Sequence, residues 1–493
     1  MTIYEAINGL LQYGKIKNIY EEDDKEYILN SLLAVFNLDD YKKNDYIYDN
    51  TKDVTYILDE MIEYAINNEI IENTQVSRDL FDTKIMGCLT PLPSMINNKF
   101  LNLKANNPIL ATDYFYNLCK DVNYVRATRI AKDIHFSKKS KYGDINMVIN
   151  LSKPEKDPND IKKLLNMKKV DYPNCMLCKE NVNYQGRLNF PARQNLRFVP
   201  VTLNNERFYM QYSPYSYYNE HTICFKDEHS NMKVDINAVK EILDFVSQFP
   251  HYFMGSNAGL PIVGGSILNH HHFQGGRAHM PLEDAKEEFL KTVNDVEYSI
   301  VYWPMNVIRL RSASKENIIT EANKIINFWD NYENKELMII AHDENGAHNA
   351  ITPICRYKNN KFELDISLRN NLTTEDRPLG LYHPRKEYWN IKKENIGLVE
   401  CLGLAVLPSR LKYEMGIVKR YVLNEQLSEE ELEKIAVHID FAEQIKSREV
   451  VTKDNVDDIV NQAMVDVFVK ILEDCAVFKE SNIDILKDAI KNL

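Results

Sequence analysis

Cysteine, glycine and proline are all scarce in this chain of 493 residues, and each scarcity excludes a class of protein. Eight cysteines, at 88, 119, 175, 178, 224, 355, 401 and 475, are too few for a disulfide scaffold at this length and suit a reducing compartment. Sixteen glycines and 17 prolines, thinly spread, rule out collagen-like and low-complexity chains, and 44% hydrophobic residues rule out a disordered one. No uninterrupted apolar run reaches the ~18 residues of a membrane span. The opening MTIYEAINGLLQYGKIKNIYEEDDKEY sets no basic stretch ahead of an apolar one. Neither secretion nor membrane insertion is expected, and the expected location is cytoplasmic. Positive charge is in deficit as well. Lys and Arg number 60 against 72 Asp and Glu, a net −12, which as a whole-molecule property repels nucleic acid and anionic membranes. An anionic metabolite would need a local pocket of cationic or donor groups.

What is present is a globular chain long enough for two to four units at roughly 100–200 residues each. From Ile3 to about Leu80, apolar residues recur at spacings of three and four (Ile3, Ile7, Leu10, Leu11; Ile28, Leu32, Leu33, Phe36), which predicts a helical region. Pro91, Pro93 and the stretch to Asn107 punctuate the chain and suggest a boundary. From about Tyr124 the texture turns to short β-branched and aromatic runs: INMVINLS, NLRFVPVTL, RFYMQYS, HTICF, PIVGGSILN and HHFQ. A second segment repeats it, with MNVIRLRS, ELMIIAH, NAITPICRY and FELDISLR as strands and ITEANKIINFWDNY as a helix. The tail returns to helix behind the capping-box spacing Ser428…Glu431. The expected division is 1–88, an N-terminal helical extension; 89–285, a catalytic half; 286–425, a second half resembling it; and 426–493, a C-terminal helical segment.

The sharpest local feature is GGSILNHHHFQGG, residues 264–276. On a strand, alternate side chains share a face, so His270, His272 and Gln274 line up on one side, with His271 and Phe273 on the other. Neutral imidazole can attack phosphorus and split one hard transfer into two easier ones. Gln274 can donate a hydrogen bond to a phosphoryl oxygen but cannot deliver a proton, which suits transfer to another phosphate better than hydrolysis. Glycines on both sides admit close backbone approach to phosphates. A surface histidine cluster is the plain alternative.

Cys175-Met176-Leu177-Cys178 can hold zinc, run redox chemistry or be two small buried hydrophobes. Redox chemistry is disfavoured because no βαβ pattern precedes it. His229 and His270 would complete a Cys2His2 set. Lys153 and Lys156, just after the apolar strand MVINL, put two ammonium groups where a diphosphate would want them. The turns Asn257-Ala258-Gly259 and Gly264-Gly265-Ser266 offer further donors. In the second half His348, Asp365, Arg369, His383 and Glu400 sit in or beside strands as further candidates. Trp303, Trp329 and Trp389 are too scattered to form a stacking platform.

Together these motifs resemble the class II UDP-glucose–hexose-1-phosphate uridylyltransferases, the bacterial galactose-1-phosphate uridylyltransferase family of the Leloir pathway, within the histidine-triad superfamily. The resemblance covers about Leu89 to Leu411 and includes YGDINMVINLSKPEKDP, YPNCMLCKENVNYQGRLNFPARQN, QYSPYSYYNEHTI, FPHYFMGSNAGLPIVGGSI, HHFQGG and IKKENIGLVECLGLAVLPSRL. It implies an α+β fold of two histidine-triad-like halves with antiparallel sheets and packed helices, plus helical additions at both ends. It implies a ping-pong reaction in which His272 takes uridylyl from UDP-glucose, releasing glucose 1-phosphate, and galactose 1-phosphate accepts it as UDP-galactose. Gln274 would hold the phosphoryl oxygens. Ser266 and Asn257 match phosphate-loop positions of class I relatives, and Lys153 and Lys156 fall where class I has two arginines. Cys175, Cys178, His229 and His270 coincide with structural zinc ligands, and Glu400 with a carboxylate that reads the hexose hydroxyls. A homodimer with shared sites also comes with the resemblance.

Two departures matter. Class II members carry aspartate between the two histidines, where this chain has His271, an off-face position. The second metal site of class I uses C-terminal-strand histidines, but the matching stretch reads Leu364-Asp365-Ile366-Ser367, so a second metal is not expected. The rival functions are a nucleotide-sugar or dinucleotide phosphorylase of the same superfamily, and a non-catalytic zinc-stabilised nucleotide-binding protein.

Overall fold

The apolar spacing at the N-terminus produces six helices in succession: α1 (Ile3–Ile16), α2 (Lys25–Val35), α3 (Thr55–Asn67), α4 (Gln75–Leu89), α5 (Pro93–Asn106) and α6 (Pro108–Asp121). The computed structural model describes residues 1–153, 170–265, 267–344 and 346–493. Helix α1 opens on a capping box, Thr2 accepting from the Glu5 amide and the Glu5 carboxylate accepting from the Thr2 amide at 2.8 Å. It buries Ile3, Ile7, Leu10 and Leu11. Pro93 and Pro108 do not interrupt the helical region. Each sits in the first turn of its helix, where a missing N–H costs nothing.

After the one-turn helix α7 (Ala127–Ile130), β1 (Ile134–Ser140) and β2 (Gly143–Ile149) form a hairpin. The main sheet begins with β3 (Val199–Leu203), β4 (Glu206–Tyr212) and β5 (Thr222–Lys226). Helix α8 (Ile236–Gln248) then leads to β6 (Phe253–Gly255) and β7 (His272–Gly276). A second set follows: β8 (Glu287–Val293), β9 (Val296–Val301), β10 (Val307–Ser312) and helix α9 (Lys315–Asp330). Next come the two-residue strands β11 (His342–Asp343) and β12 (Gly346–Ala347), then β13 (Asn349–Lys358) and β14 (Lys361–Asn370).

The strand order is β3-β4-β5-β7-β6-β13-β14-β10-β9-β8. Each set therefore runs as a three-strand meander, a helix and two further strands, the last inserted between the third and fourth. The same topology occurs twice, every pairing antiparallel, with the two sets joined edge to edge where Ile354 pairs with Gly255 and Cys355 with Met254. The sequence repetition thus corresponds to one continuous ten-stranded antiparallel sheet built from two like halves, and the fold is α+β with packed helices, its one parallel pairing among the described residues being that of Leu404–Leu407 with β2 in the small sheet.

Helices α8 and α9 cover one face, burying Val239, Ile242, Val246, Ile318, Ala322, Ile325 and Trp329 against Phe208, Phe273, Leu364, Ile366 and Leu368. The opposite face at the joint meets a second core, in which Phe253, Val307 and Ile354 pack with the three-stranded sheet β1-β2-β15 (β15 is Leu404–Leu407) and the C-terminal helices. Those helices are α10 (Leu398–Cys401), α11 (Arg410–Val422), α12 (Glu429–Lys434), α13 (Ile439–Arg448), α14 (Val456–Cys475) and α15 (Ile483–Asn492). Ser428 and Glu431 form the expected capping box at the start of α12. No helix among the described residues is long and apolar enough to cross a membrane.

Two expected strands are absent among the described residues. In PIVGGSILN, Ile262 has φ of 74°, which an extended strand does not admit, and Gly264 packs so tightly that a Cβ there would lie 2.2 Å from the Ala258 carbonyl oxygen. In ELMIIAH, Met338 has φ of 57° and the segment folds into a turn closed by a single Asn334–Ile339 bridge.

Candidate active site

Strand β7 carries the alternation read from the sequence. On the helix-covered side, Phe273 is fully buried against Phe208, and His271 directs Nε2 to the Glu241 carboxylate of α8 at 2.8 Å. His271 Nδ1 accepts from the Lys233 amide at 3.4 Å. The departure at position 271 is thus absorbed by an α8 carboxylate beneath the sheet, away from the face of His272.

On the other face, His272 Nδ1–H donates to the His270 carbonyl at 2.8 Å, which leaves the Nε2 lone pair as the ring's reactive position. Burial lowers the His272 pKa to about 4, so the ring is neutral near pH 7. Two residues along, Gln274 Oε1 lies 3.1 Å from His221 Nε2.

The glycines after the histidines have a packing role. A Cβ on Gly275 would sit 2.1 Å from the Phe253 carbonyl oxygen of β6, and one on Gly276 would meet the Glu220 carbonyl oxygen at 2.8 Å. These two positions admit only glycine because neighbouring backbone approaches them closely.

Gly255 pairs with Gln274 on one side and Ile354 on the other, and Leu398 of α10 lies directly over it. That contact brings the α10 segment to the joint. The Leu398 amide donates to Asn257 Oδ1 at 2.8 Å, and the Gly397 amide donates to the Glu400 carboxylate at 3.0 Å. Gly265 leaves room for the Asn257 amide, since a Cβ there would approach Asn257 Nδ2 to 2.6 Å. Asn257 and Glu400, 143 positions apart, thus meet on one short segment.

Two side chains the sequence reading missed join them. Lys392, 4% exposed, pairs with Glu400 at 3.1 Å and donates to the Val406 carbonyl at 2.9 Å. His221 contacts Gln274. Both fall inside stretches that carry the family resemblance, QYSPYSYYNEHTI and IKKENIGLVECLGLAVLPSRL, but neither has a spacing of its own that points to chemistry: Lys392 is one of two adjacent lysines in a loop, and His221 only precedes a strand.

The remaining candidates scatter. Lys153 is exposed and borders a cleft of about 700 Å³ with Arg126, Arg129 and Lys132. Lys156 and Ser266 lie outside the described residues. Asp365 is wholly buried between Arg309 (2.6 Å) and Arg356 (2.7 Å). Arg369 donates to the Ile396 carbonyl at 2.7 Å, His348 contacts Asn371 at 2.9 Å and His383 contacts Asn395 at 3.1 Å. These four serve internal contacts. Trp303 and Trp329 are core residues.

Cys175, Cys178, His229 and His270 converge, their ligand atoms all within 4.8 Å of one another. Cys175 Sγ lies 3.5 Å from Cys178 Sγ and 3.2 Å from His270 Nδ1, and Cys178 Sγ lies 3.1 Å from His229 Nδ1. Around tetrahedral zinc, with bonds of ~2.3 Å to sulfur and ~2.0 Å to nitrogen, the ligand atoms lie about 3.3–3.8 Å apart, close to what these side chains already present. His270 Nε2–H is tied to the Lys226 carbonyl at 2.8 Å, which points an unprotonated Nδ1 at the cluster. The set fits a closed structural metal site. It abuts the histidine strand, because His270 is at once a member of the cluster and the carbonyl acceptor for His272.

A duplicated antiparallel sheet with a histidine strand one place from its joint and a Cys/His metal-type cluster beside it defines an α+β protein of two like halves. Residues 18–231 match the model of the galactose-1-phosphate uridyl transferase N-terminal domain, and residues 244–442 that of the C-terminal domain. A galactose-1-phosphate uridylyltransferase of Fusobacterium nucleatum is 43% identical over 97% of this chain and 96% of its own length. Those of Clostridium acetobutylicum (43%, 97% of each chain) and Bacillus subtilis (40%, 98% and 95%) are similar throughout. Among solved structures, yeast Ap4A phosphorylase Apa2 in complex with Ap4A overlaps at a TM-score of 0.33 with 11% identity, over 60% of this chain and 88% of that one. The fold assignment rests on the strand order, not on that overlap. The chain belongs to the galactose-1-phosphate uridylyltransferase family, and it is an enzyme of the nucleotidyltransferase class.

Proposed function

We propose that this chain moves the uridylyl group of UDP-glucose to galactose 1-phosphate in two steps through His272. In the first, His272 Nε2 attacks the α-phosphorus of UDP-glucose, a P–N bond forms, the P–O bond to the β-phosphate breaks, and glucose 1-phosphate leaves. In the second, a phosphate oxygen of galactose 1-phosphate attacks the same phosphorus, the P–N bond breaks and UDP-galactose leaves. Neither leaving group needs a proton, which suits an amide, Gln274, in place of an acid. The observation that carries this reading is the hydrogen bond from His272 Nδ1–H to the His270 carbonyl, which leaves one nucleophilic nitrogen on a neutral ring. The full-length similarity to uridylyltransferases supports the substrates.

Incubation with UDP-glucose alone is expected to add one uridylyl mass to the intact chain and to release an equivalent of glucose 1-phosphate. Galactose 1-phosphate then discharges the adduct, whereas inorganic phosphate, the acceptor of a phosphorylase, leaves it in place. An active preparation that never acquires the adduct overturns the covalent step. Asn257 and Glu400 are assigned to substrate, as are Lys153, Lys156 and Ser266 by resemblance. The reading includes a homodimer, which doubles the chain mass in sedimentation.

Cys175, Cys178, His229 and His270 are proposed to hold one zinc, which when bound supplies a structural cross-link between the Cys175–Cys178 segment and the reactive strand. Metal analysis is expected to give one zinc per chain. Cys178→Ser is expected to lose it and to lower the melting temperature, with transferase activity falling as the His270 backbone loosens. A metal-free wild type of unchanged melting temperature would exclude the assignment.

A further inference from the structure

His221 touches the proposed site although no spacing in the sequence singles it out. It lies one residue before β5, on the same face as Ile223, and Ile223 pairs with Gln274 across the ladder. That register sets the imidazole against the Gln274 side chain, Nε2 to Oε1 at 3.1 Å. The rings of Tyr217 and Tyr218 lie 5.5 and 4.5 Å from it, and the Tyr218 hydroxyl is anchored on the Gly275 carbonyl at 3.2 Å. His221 is 3% exposed, so its ring is packed among these neighbours.

The other nitrogen decides what His221 does. Nδ1 is buried and has no hydrogen-bond partner among the described residues. A neutral imidazole has one proton to place. On Nδ1 it would be a buried N–H with no acceptor, and Nε2 would accept from the Gln274 amide nitrogen, turning the Gln274 oxygen toward the reacting phosphorus. On Nε2 it is shared with Gln274 Oε1, and the unmatched group is an acceptor. Orphaned buried N–H groups are the rarer of the two in folded proteins. Burial also disfavours the doubly protonated ring, lowering the His221 pKa to about 4.

The consequence reaches the chemistry. The equatorial oxygens of a phosphoryl group in transfer carry negative charge, so an NH₂ aimed at them stabilises the transition state, while an amide oxygen in the same place repels it. We infer that His221 is a positioning residue, whose Nε2–H holds the Gln274 oxygen so that the amide NH₂ faces the phosphoryl oxygens. This rests on the role proposed for Gln274.

Single-turnover uridylylation by UDP-glucose tests it. His221→Phe keeps a ring packed against the two tyrosines and removes the donor. The rate is expected to fall about 10- to 100-fold, with the apparent affinity for UDP-glucose changed less than about threefold, part of the loss seen when one oxyanion donor is removed. His221→Gln, which returns an N–H donor, is expected to recover most of that rate. In a Gln274→Ala background, His221→Phe is expected to cost no more than about twofold further, because the group it orients is gone. Equal losses from His221→Phe with and without Gln274 would overturn the inference. A wild-type rate for Gln274→Ala would instead remove the role of Gln274 itself. For the wild-type enzyme, ¹⁵N-histidine NMR is expected to place the His221 proton on Nε2, and a proton on Nδ1 would overturn the inference without any variant.

Discussion

His272→Asn is expected to abolish the uridylyl adduct and to lower kcat by about ten-thousand-fold or more, as loss of a covalent nucleophile does elsewhere. Asparagine keeps a polar side chain of modest size on the strand but has no lone pair able to attack phosphorus. The scaffold around it is untouched, since the His272 ring donates its own hydrogen bond to the His270 main-chain carbonyl and not to a side chain. UDP-glucose binding should therefore survive, with a dissociation constant within a few-fold of wild type by calorimetry. Retention of more than about 1% of the overall rate, with no adduct by intact mass, would point to direct transfer and sink the two-step reading.

The second large effect lies across the joint. Reading one row through the sheet, Ile223, Gln274, Gly255, Ile354, Asp365 and Arg309 pair in turn. Asp365 thus holds in the second half the place that Gln274 holds in the first. The same topology that carries the histidine strand on one side buries an ion network on the other, in which Arg309 and Arg356 both reach Asp365 and Arg356 also pairs with Glu363. Removing one member leaves two buried guanidiniums short of an anion, so Asp365→Ala is expected to cost about 3–5 kcal/mol of folding stability by urea unfolding at pH 7.

The pH dependence follows from the same geometry. Burial alone would raise the Asp365 pKa, but Arg309 and Arg356 outweigh it and hold the carboxyl at about 2. The unfolded chain binds that proton near 3.9. The folded-state pKa is the lower one, so the stabilisation is complete above about pH 5 and declines as the pH falls through 4 toward 2. The stability gap between wild type and Asp365→Ala should narrow between pH 5 and pH 3. A gap that stays constant would show that Asp365 contributes by packing and not by charge.

Much of this molecule was legible from local pattern, because local pattern reports on neighbours in sequence. The three- and four-residue spacing before Leu80 gave helices, and Ser428 with Glu431 gave a cap, since both depend on residues within one or two turns. The two-residue period of a strand placed His272 and Gln274 on one face and His271 and Phe273 on the other before any fold was known. Local pattern misled where backbone conformation was set from outside: PIVGGSILN has a strand's composition, yet the close approach of Gly264 to Ala258 and the turn at Ile262 forbid one.

By itself, then, the sequence determined the terminal helices, the histidine strand, the face its side chains take and, through resemblance, the family. Tertiary structure decided which distant groups meet that face. His221 reaches Gln274 from 53 positions away, Asn257 meets the α10 segment across 141, and Lys392 neutralises Glu400 from a loop. It also decided that the two halves join through β6 and β13 into one sheet, so that equivalent positions carry an amide on one side and a buried ion network on the other. Register between strands and the pairing of buried charges are settled by which surfaces close against each other, and no local spacing encodes that.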